Sequence, residues 1–313
     1  MTPHVLLFVG SLLLLAVAGD RFILAVTALS VALRVRPVIV GVLVGGLGTS
    51  IPELIVVPLA VGRGEPTLAM GTVIGSIIAN VALGLALAAL VHPLRVDSTT
   101  VRRETPISVA AVLLLAVVAV GGVSRLDGVA LLVGAGVALW GTLRNARRAM
   151  PSDVLEEEVI GFVEDPSPRV SRHGVRAMLA LGGMLVASEG VVRSASRIAE
   201  GLGWGEGLVG LTVVALGTSA PLIASGIQAA RRREDDVVVG NVLGGNLFIA
   251  LLGGALVGLL QHGGPVSITP LSIVAMVVVC LLSWFFMARR GAVTRIEAVI
   301  LIALYVGVVP AVA

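Results

Sequence analysis

Seven oxygen-bearing side chains lie inside runs of otherwise apolar sequence, and their types and spacing suit one kind of chemistry. Thr49, Ser50 and Glu53 fall in the stretch Gly46-Leu-Gly-Thr-Ser-Ile-Pro-Glu53. Ser76 and Asn80 fall in Gly71-Thr-Val-Ile-Gly-Ser-Ile-Ile-Ala-Asn80, and Thr218 and Ser219 in Ala215-Leu-Gly-Thr-Ser-Ala-Pro-Leu222. Thr49 and Glu53 are four residues apart, as are Ser76 and Asn80, so each pair shares a helical face. A carboxylate, an amide and several hydroxyls are hard oxygen donors, suited to Na⁺ or Ca²⁺ and poor for soft metals. An ionisable residue at membrane depth is a functional candidate by default. The bland alternative for Ser76 and Asn80 is helix–helix hydrogen bonding, and for Thr218 and Ser219 capping of a helix break. Gly48 and Pro52 interrupt the run in mid-span, because Pro52 offers no N–H and disfavours helix at Ile51.

The two Gly-Thr-Ser stretches are copies of one another. An offset of 169 places Thr49 on Thr218, Pro52 on Pro221, Gly71 on Gly240 and Gly75 on Gly244, and makes fifteen of the forty-four positions from 41 to 84 identical. The copies differ where the chemistry is: Glu53 faces Leu222, Ser76 faces Gly245 and Asn80 faces Ile249. Asp20 falls on Glu189, and Arg125-Leu-Asp127 on Arg295-Ile-Glu297 within one residue. Gly71 and Gly75 predict a close approach between that helix and a neighbour.

The elements that must position these residues are transmembrane helices. The 313 residues are 57% hydrophobic and 13% charged, about half the charge of a soluble domain. Repeated apolar runs long enough to span a bilayer give ten expected spans, at about 4–27, 37–62, 66–91, 105–122, 126–143, 174–199, 206–230, 236–260, 267–288 and 294–312. The apolar N-terminus lacks a basic leader and reads as the first span rather than a signal peptide. Cys280 is the single cysteine, and the histidines at 4, 92, 173 and 262 are scattered, which gives no disulfide framework and no transition-metal signature. Arginine is used throughout in place of lysine and falls mostly between or at the ends of spans, which argues against a nucleic-acid patch. The polar segment 144–173 is then a linker between two halves, 1–143 and 174–313.

Arginines set the expected orientation. The loops after odd-numbered spans, with the span ends beside them, hold seventeen of them, including Arg34, Arg36, Arg102, Arg103 and Arg231–Arg233, against four in and beside the opposite loops. By the positive-inside rule the linker is cytoplasmic and both termini are outside. Five spans per half make the two similar halves enter the membrane in opposite senses, an inverted repeat of the kind found in secondary transporters. Near the span ends, Asp20 and Glu189 are expected to form ion pairs with Arg21 and Arg193.

The paired motifs resemble the alpha repeats of the sodium/calcium exchanger family, part of the cation/calcium antiporters, whose pattern is G-T-S-x-P-E followed by G-N-x-x-G-S-x-x-x-N/D. The resemblance spans the whole chain. It implies an all-α membrane protein of ten transmembrane helices in two inverted five-helix repeats, working as a cation antiporter by alternating access. It also implies ion-coordinating roles for Thr49, Ser50, Glu53, Ser76 and Asn80 in the first repeat, and for Thr218 and Ser219 in the second. The second repeat is degenerate: Leu222 replaces a glutamate, Gly245 a serine and Ile249 an acid or amide, while Asn241 and Asn246 are expected on other helical faces. No enzyme activity and no cofactor are expected. The expected partners are inorganic cations (Ca²⁺, Na⁺ or H⁺) and the lipid bilayer of the plasma membrane. The alternative is a transport-incompetent or proton-coupled monovalent-cation descendant of the same scaffold.

Overall fold

The computed structural model describes residues 2–32, 47–96, 104–149 and 170–312. The start of the expected second span, the segment 97–103 and residues 150–169 of the linker lie outside the described residues, as does the side chain of Thr49. The rest is almost entirely helical: α1 (Thr2–Ala32), α2 (Ile51–Gly62), α3 (Pro66–Val91), α4 (Thr105–Val120), α5 (Arg125–Ala149), α6 (Val170–Leu202), α7 (Glu206–Arg232), α8 (Asp235–Leu260), α9 (Pro270–Arg290) and α10 (Arg295–Val312). Among the described residues, seven helices are long and apolar enough to cross a membrane: α1, α3, α5, α6, α7, α8 and α9. α2 and α4 are apolar but shorter. The helices flanking the linker run further than the apolar pattern, with α5 continuing to Ala149 and α6 starting at Val170.

Burial sorts the helices into a centre and a rim. α3 and α8 are the central pair, with 83% and 78% of their apolar spans buried, against 28% for α1 and 17% for α5. The rim helices turn large apolar side chains outward, among them Leu6, Leu13 and Val17 on α1, Val133 and Trp140 on α5, and Met178 and Val186 on α6. An apolar exterior around a packed centre is the pattern expected where the surrounding solvent is lipid.

The halves are tied together by matched contacts. α5 packs on α8, and α10 packs on α3. Arg125 donates to the Gln261 carbonyl at 3.2 and 3.3 Å, and Arg295 to the Val91 carbonyl at 3.2 Å. Each of these arginines opens a helix with a capping box. Asp127 accepts from the backbone and hydroxyl of Ser124 at 2.9 and 2.6 Å, and Glu297 from those of Thr294 at 2.7 and 2.9 Å. Two short pairings follow the same rule. β1 (Leu94–Arg95) pairs antiparallel with β2 (Ala292–Val293), and Val123 bridges Val266. The sequence likeness of Arg125-Leu-Asp127 to Arg295-Ile-Glu297 is therefore matched by equivalent bonding.

The expected close approach of α3 is present. A Cβ on Gly71 would overlap the Gly207 carbonyl, one on Gly75 the Leu211 carbonyl, and one on Gly210 the Leu68 carbonyl. Glycine on both helices lets α3 and α7 cross backbone to backbone. Both helices widen near the crossing into π-helical turns, at Asn80–Leu85 in α3 and Gly210–Val214 in α7, and α8 does the same at Ile249–Gly253. Such turns are rare and concentrate at functional sites.

Candidate ion-binding site

The first Gly-Thr-Ser stretch is broken as its composition predicts. Gly48–Ser50 forms a 3₁₀ turn, Ser50 leaves the helical region at φ −101° and ψ 2°, and Pro52 sits in the first turn of α2, where its missing N–H costs nothing. This places Glu53 in the opening turn of α2, within the positive end of the helix dipole. The second stretch behaves differently. α7 runs through Pro221 as one continuous helix, and its irregular turn lies upstream at Gly210–Val214. Thr218 and Ser219 therefore do not cap a break. Pro221 still leaves the Gly217 carbonyl without its normal donor.

Six of the seven candidate residues come together at the centre, and all six are buried. Ser219 Oγ donates to Glu53 Oε1 at 3.3 Å. Thr218 and Ser76 flank the same carboxylate, and their hydroxyls are 3.4 Å apart. Ser50 Oγ donates to the Gly245 carbonyl at 3.4 Å. The Ser219–Glu53, Thr218–Ser76 and Ser50–Gly245 contacts each cross from one half of the chain to the other. Thr49 is the seventh candidate, and its side chain is outside the described residues.

Asn246 was placed on another face by the sequence reasoning, and the structure corrects this. It is buried, its Oδ1 accepts from Asn80 Nδ2 at 3.0 Å, and its Nδ2 donates to the Ile77 carbonyl at 3.3 Å. The signal was available: Asn246 is three residues before Ile249, the position matching Asn80, and residues three apart share a helix face. The register comparison hid it by pairing Asn246 with Ile77. Leu222 is also buried, with its Cδ2 against Gly84 in α3. Glu189 is held in an ion pair, as expected, but by Arg63 as well as by Arg193 at 3.3 Å. The Arg63 Nε bond of 2.8 Å ties the end of α2 to α6. Asp20 is exposed.

Within this cluster two buried acceptors have no hydrogen-bond partner among the described residues: Glu53 Oε2 and Asn80 Oδ1. A buried polar atom left unpaired costs about 1–3 kcal/mol, a cost that a coordinated cation offsets. Among the described residues Glu53 is the carboxylate of the site. The other donors are the hydroxyls of Ser50, Ser76, Thr218 and Ser219, the amides of Asn80 and Asn246, and the Gly245 carbonyl. The set suits a hard cation of low charge.

Comparison with known proteins identifies the family. The sodium/calcium exchanger protein family matches residues 3–143 and 175–312, which takes in both copies of the motif. Inner membrane protein YrbG of Escherichia coli is 37% identical over 253 residues, covering 78% of this chain and 75% of its own. Membrane protein MJ0091 of Methanocaldococcus jannaschii is 32% identical over 300 residues, covering 96% and 94%. The solved structure of the sodium-calcium exchanger NCX_Mj superposes with a TM-score of 0.68 at 28% identity, covering 100% of this chain and 99% of that one. The duplicated motif, the buried oxygen cluster and these matches over both halves together mean that this chain belongs to the sodium/calcium exchanger family.

Proposed function

We propose that the chain is a secondary active cation antiporter that works by alternating access around a midplane site containing Glu53. The observation behind this reading is the buried carboxylate, ringed by oxygen donors from both halves and holding an oxygen with no donor of its own. A site divided between two bodies is exposed to one side or the other as they rock, with the ion at the pivot. Ser50, Glu53, Ser76 and Asn80 belong to one body, and Thr218, Ser219, Asn246 and the Gly245 carbonyl to the other. Thr49 completes the first set by its place in the motif. The scaffold is ten crossings in two five-helix halves of opposite orientation, 1–143 and 174–313. The matched arginine clasps and capping boxes support the duplication, and the arginine count supports a cytoplasmic linker with both termini outside. The plasma membrane is the proposed location.

NCX_Mj is a sodium-calcium exchanger whose solved structures were soaked with Na⁺ together with Ca²⁺ or Sr²⁺. The present chain is proposed to move Na⁺ against a second cation, Ca²⁺ or H⁺. The second reading, proton-coupled exchange of a monovalent cation, is favoured by one observation: apolar Leu222 and Ile249 stand where acidic ligands are expected, so a single negative charge faces the ion. At about 4 Å and an effective dielectric near 20, one charge pair is worth roughly 4 kcal/mol before desolvation. A missing carboxylate costs a divalent ion about twice that. Reconstituted protein offered gradients of Na⁺, Ca²⁺, K⁺ and H⁺ in turn tests the proposal. Countertransport of two of these ions is expected. Absence of coupled flux for every pair identifies a transport-incompetent scaffold.

A further inference from the structure

Asn80 on α3 and Asn246 on α8 come from opposite halves of the chain, and only 0% and 2% of their surface is exposed. A side-chain amide carries an acceptor oxygen on one arm of its fork and two donor hydrogens on the other. The two arms are nearly the same size, so hydrogen-bond partners decide which way the fork is turned. Beside a cation the choice matters: the oxygen is a ligand, whereas the NH₂ group repels the ion.

A backbone carbonyl makes the choice here. The Ile77 carbonyl can only accept, and Asn246 Nδ2 donates to it at 3.3 Å. Asn246 Oδ1 is thereby turned toward Asn80, whose Nδ2 donates to it at 3.0 Å. Asn80 is left with Oδ1 as its open end, buried and without a donor among the described residues. Ser76, one turn before Asn80 on the same face of α3, flanks the Glu53 carboxylate. The bonds begin and end on α3, at Ile77 and Asn80, and Asn246 links them from the other half. In the internal register the corresponding pair is Ile249 and Ile77. Both are apolar and buried, so this relay exists once despite the duplication. We infer that Asn246 is a positioning residue that holds the Asn80 amide with its oxygen toward the cation and its nitrogen away. The inference rests on the cation site proposed above. The oxygen of Asn246 is committed to Asn80, so Asn246 acts on the ion through Asn80, and a ligand of one half is set by a residue of the other.

The test is ion binding by the purified full chain in detergent. It is read from the rise in melting temperature as NaCl replaces choline chloride at constant ionic strength, and again with CaCl₂. Asn246→Leu removes both bonds and frees the Asn80 amide to turn. It is expected to weaken binding about tenfold, the scale of one neutral polar contact. Asn80→Asp supplies the deciding comparison. A carboxylate offers an oxygen on either arm and needs no orienting, so adding Asn246→Leu to Asn80→Asp is expected to weaken binding less than about threefold. A loss of about tenfold in both backgrounds overturns the inference, because Asn246 then acts as a ligand itself or as a packing residue. Unchanged binding in Asn246→Leu overturns it as well. Asn246→Ala removes the same two bonds with less bulk and repeats the comparison, so poor folding of one variant does not decide the result. A wild type stabilised by neither ion removes the cation site and this inference with it, an outcome distinct from a working site that ignores Asn246.

Discussion

Replacing Glu53 with glutamine changes the charge of the proposed ion site while nearly preserving its shape. In the native protein Glu53 Oε1 accepts from Ser219 at 3.3 Å, and Oε2 has no donor among the described residues. The amide oxygen of glutamine can keep the Ser219 bond. The amide nitrogen then takes the place of Oε2 and presents donors where an ion needs an acceptor. A charge pair at about 4 Å with an effective dielectric near 20 is worth roughly 4 kcal/mol, which is about a thousandfold in affinity for a monovalent ion. For a divalent ion the loss roughly doubles. Folding changes far less: burying the new amide without a partner costs about 1–3 kcal/mol, and removing a buried, unpaired charge offsets part of it. The expected outcome in proteoliposomes is loss of coupled flux, with normal insertion and a melting temperature near wild type. Flux within twofold of wild type would refute both the role of Glu53 and the electrostatic reasoning built on it.

Three further outcomes are expected. Leu222→Glu adds a second carboxylate beside α3, and Ca²⁺ binding measured by calorimetry should strengthen at least tenfold and become more pH-dependent, because two neighbouring carboxylates oppose each other's ionisation; tight binding already in the wild type would show that one carboxylate suffices. Asn246→Leu removes the acceptor for Asn80 Nδ2, so a thermal or denaturant assay should show about 1–3 kcal/mol of destabilisation together with reduced flux, and a neutral result would exclude the amide pair from the site. A cysteine replacing Ser167 in the linker should stay unlabelled by an impermeant external thiol reagent in intact cells, whereas labelling there would reverse the proposed orientation.

Much of this protein is legible in the chain because its candidate functional residues carry polar atoms in an apolar background. Glu53, Ser76 and Asn80 stand out in runs of valine, leucine and isoleucine, and the duplication locates Thr218 and Ser219 by register alone. The capping boxes at Ser124 and Thr294 are written in local spacing. Other parts depend on information that spacing does not hold. The Gly245 carbonyl accepts from Ser50, and a backbone oxygen leaves no mark in a sequence. Asn246 was missed because the register pairs it with Ile77, while helix periodicity relates it to the position of Asn80. Pro52 and Pro221 look equivalent, yet one opens a helix and the other lies within one. Proline removes a hydrogen bond in both places, and the surrounding packing decides whether the helix stops.

The crossed arginine clasps also bear on what counts as a complete molecule. Arg125 opens α5 but bonds to the far end of α8, and Arg295 opens α10 but bonds to the far end of α3. Neither half satisfies its own arginine, and each half's last helix packs against the other half's third. A single half is therefore an unfinished object, with an arm lacking its socket and a socket lacking its arm. Two such halves, whether fused in one gene or expressed as separate polypeptides, complete each other by reciprocal exchange.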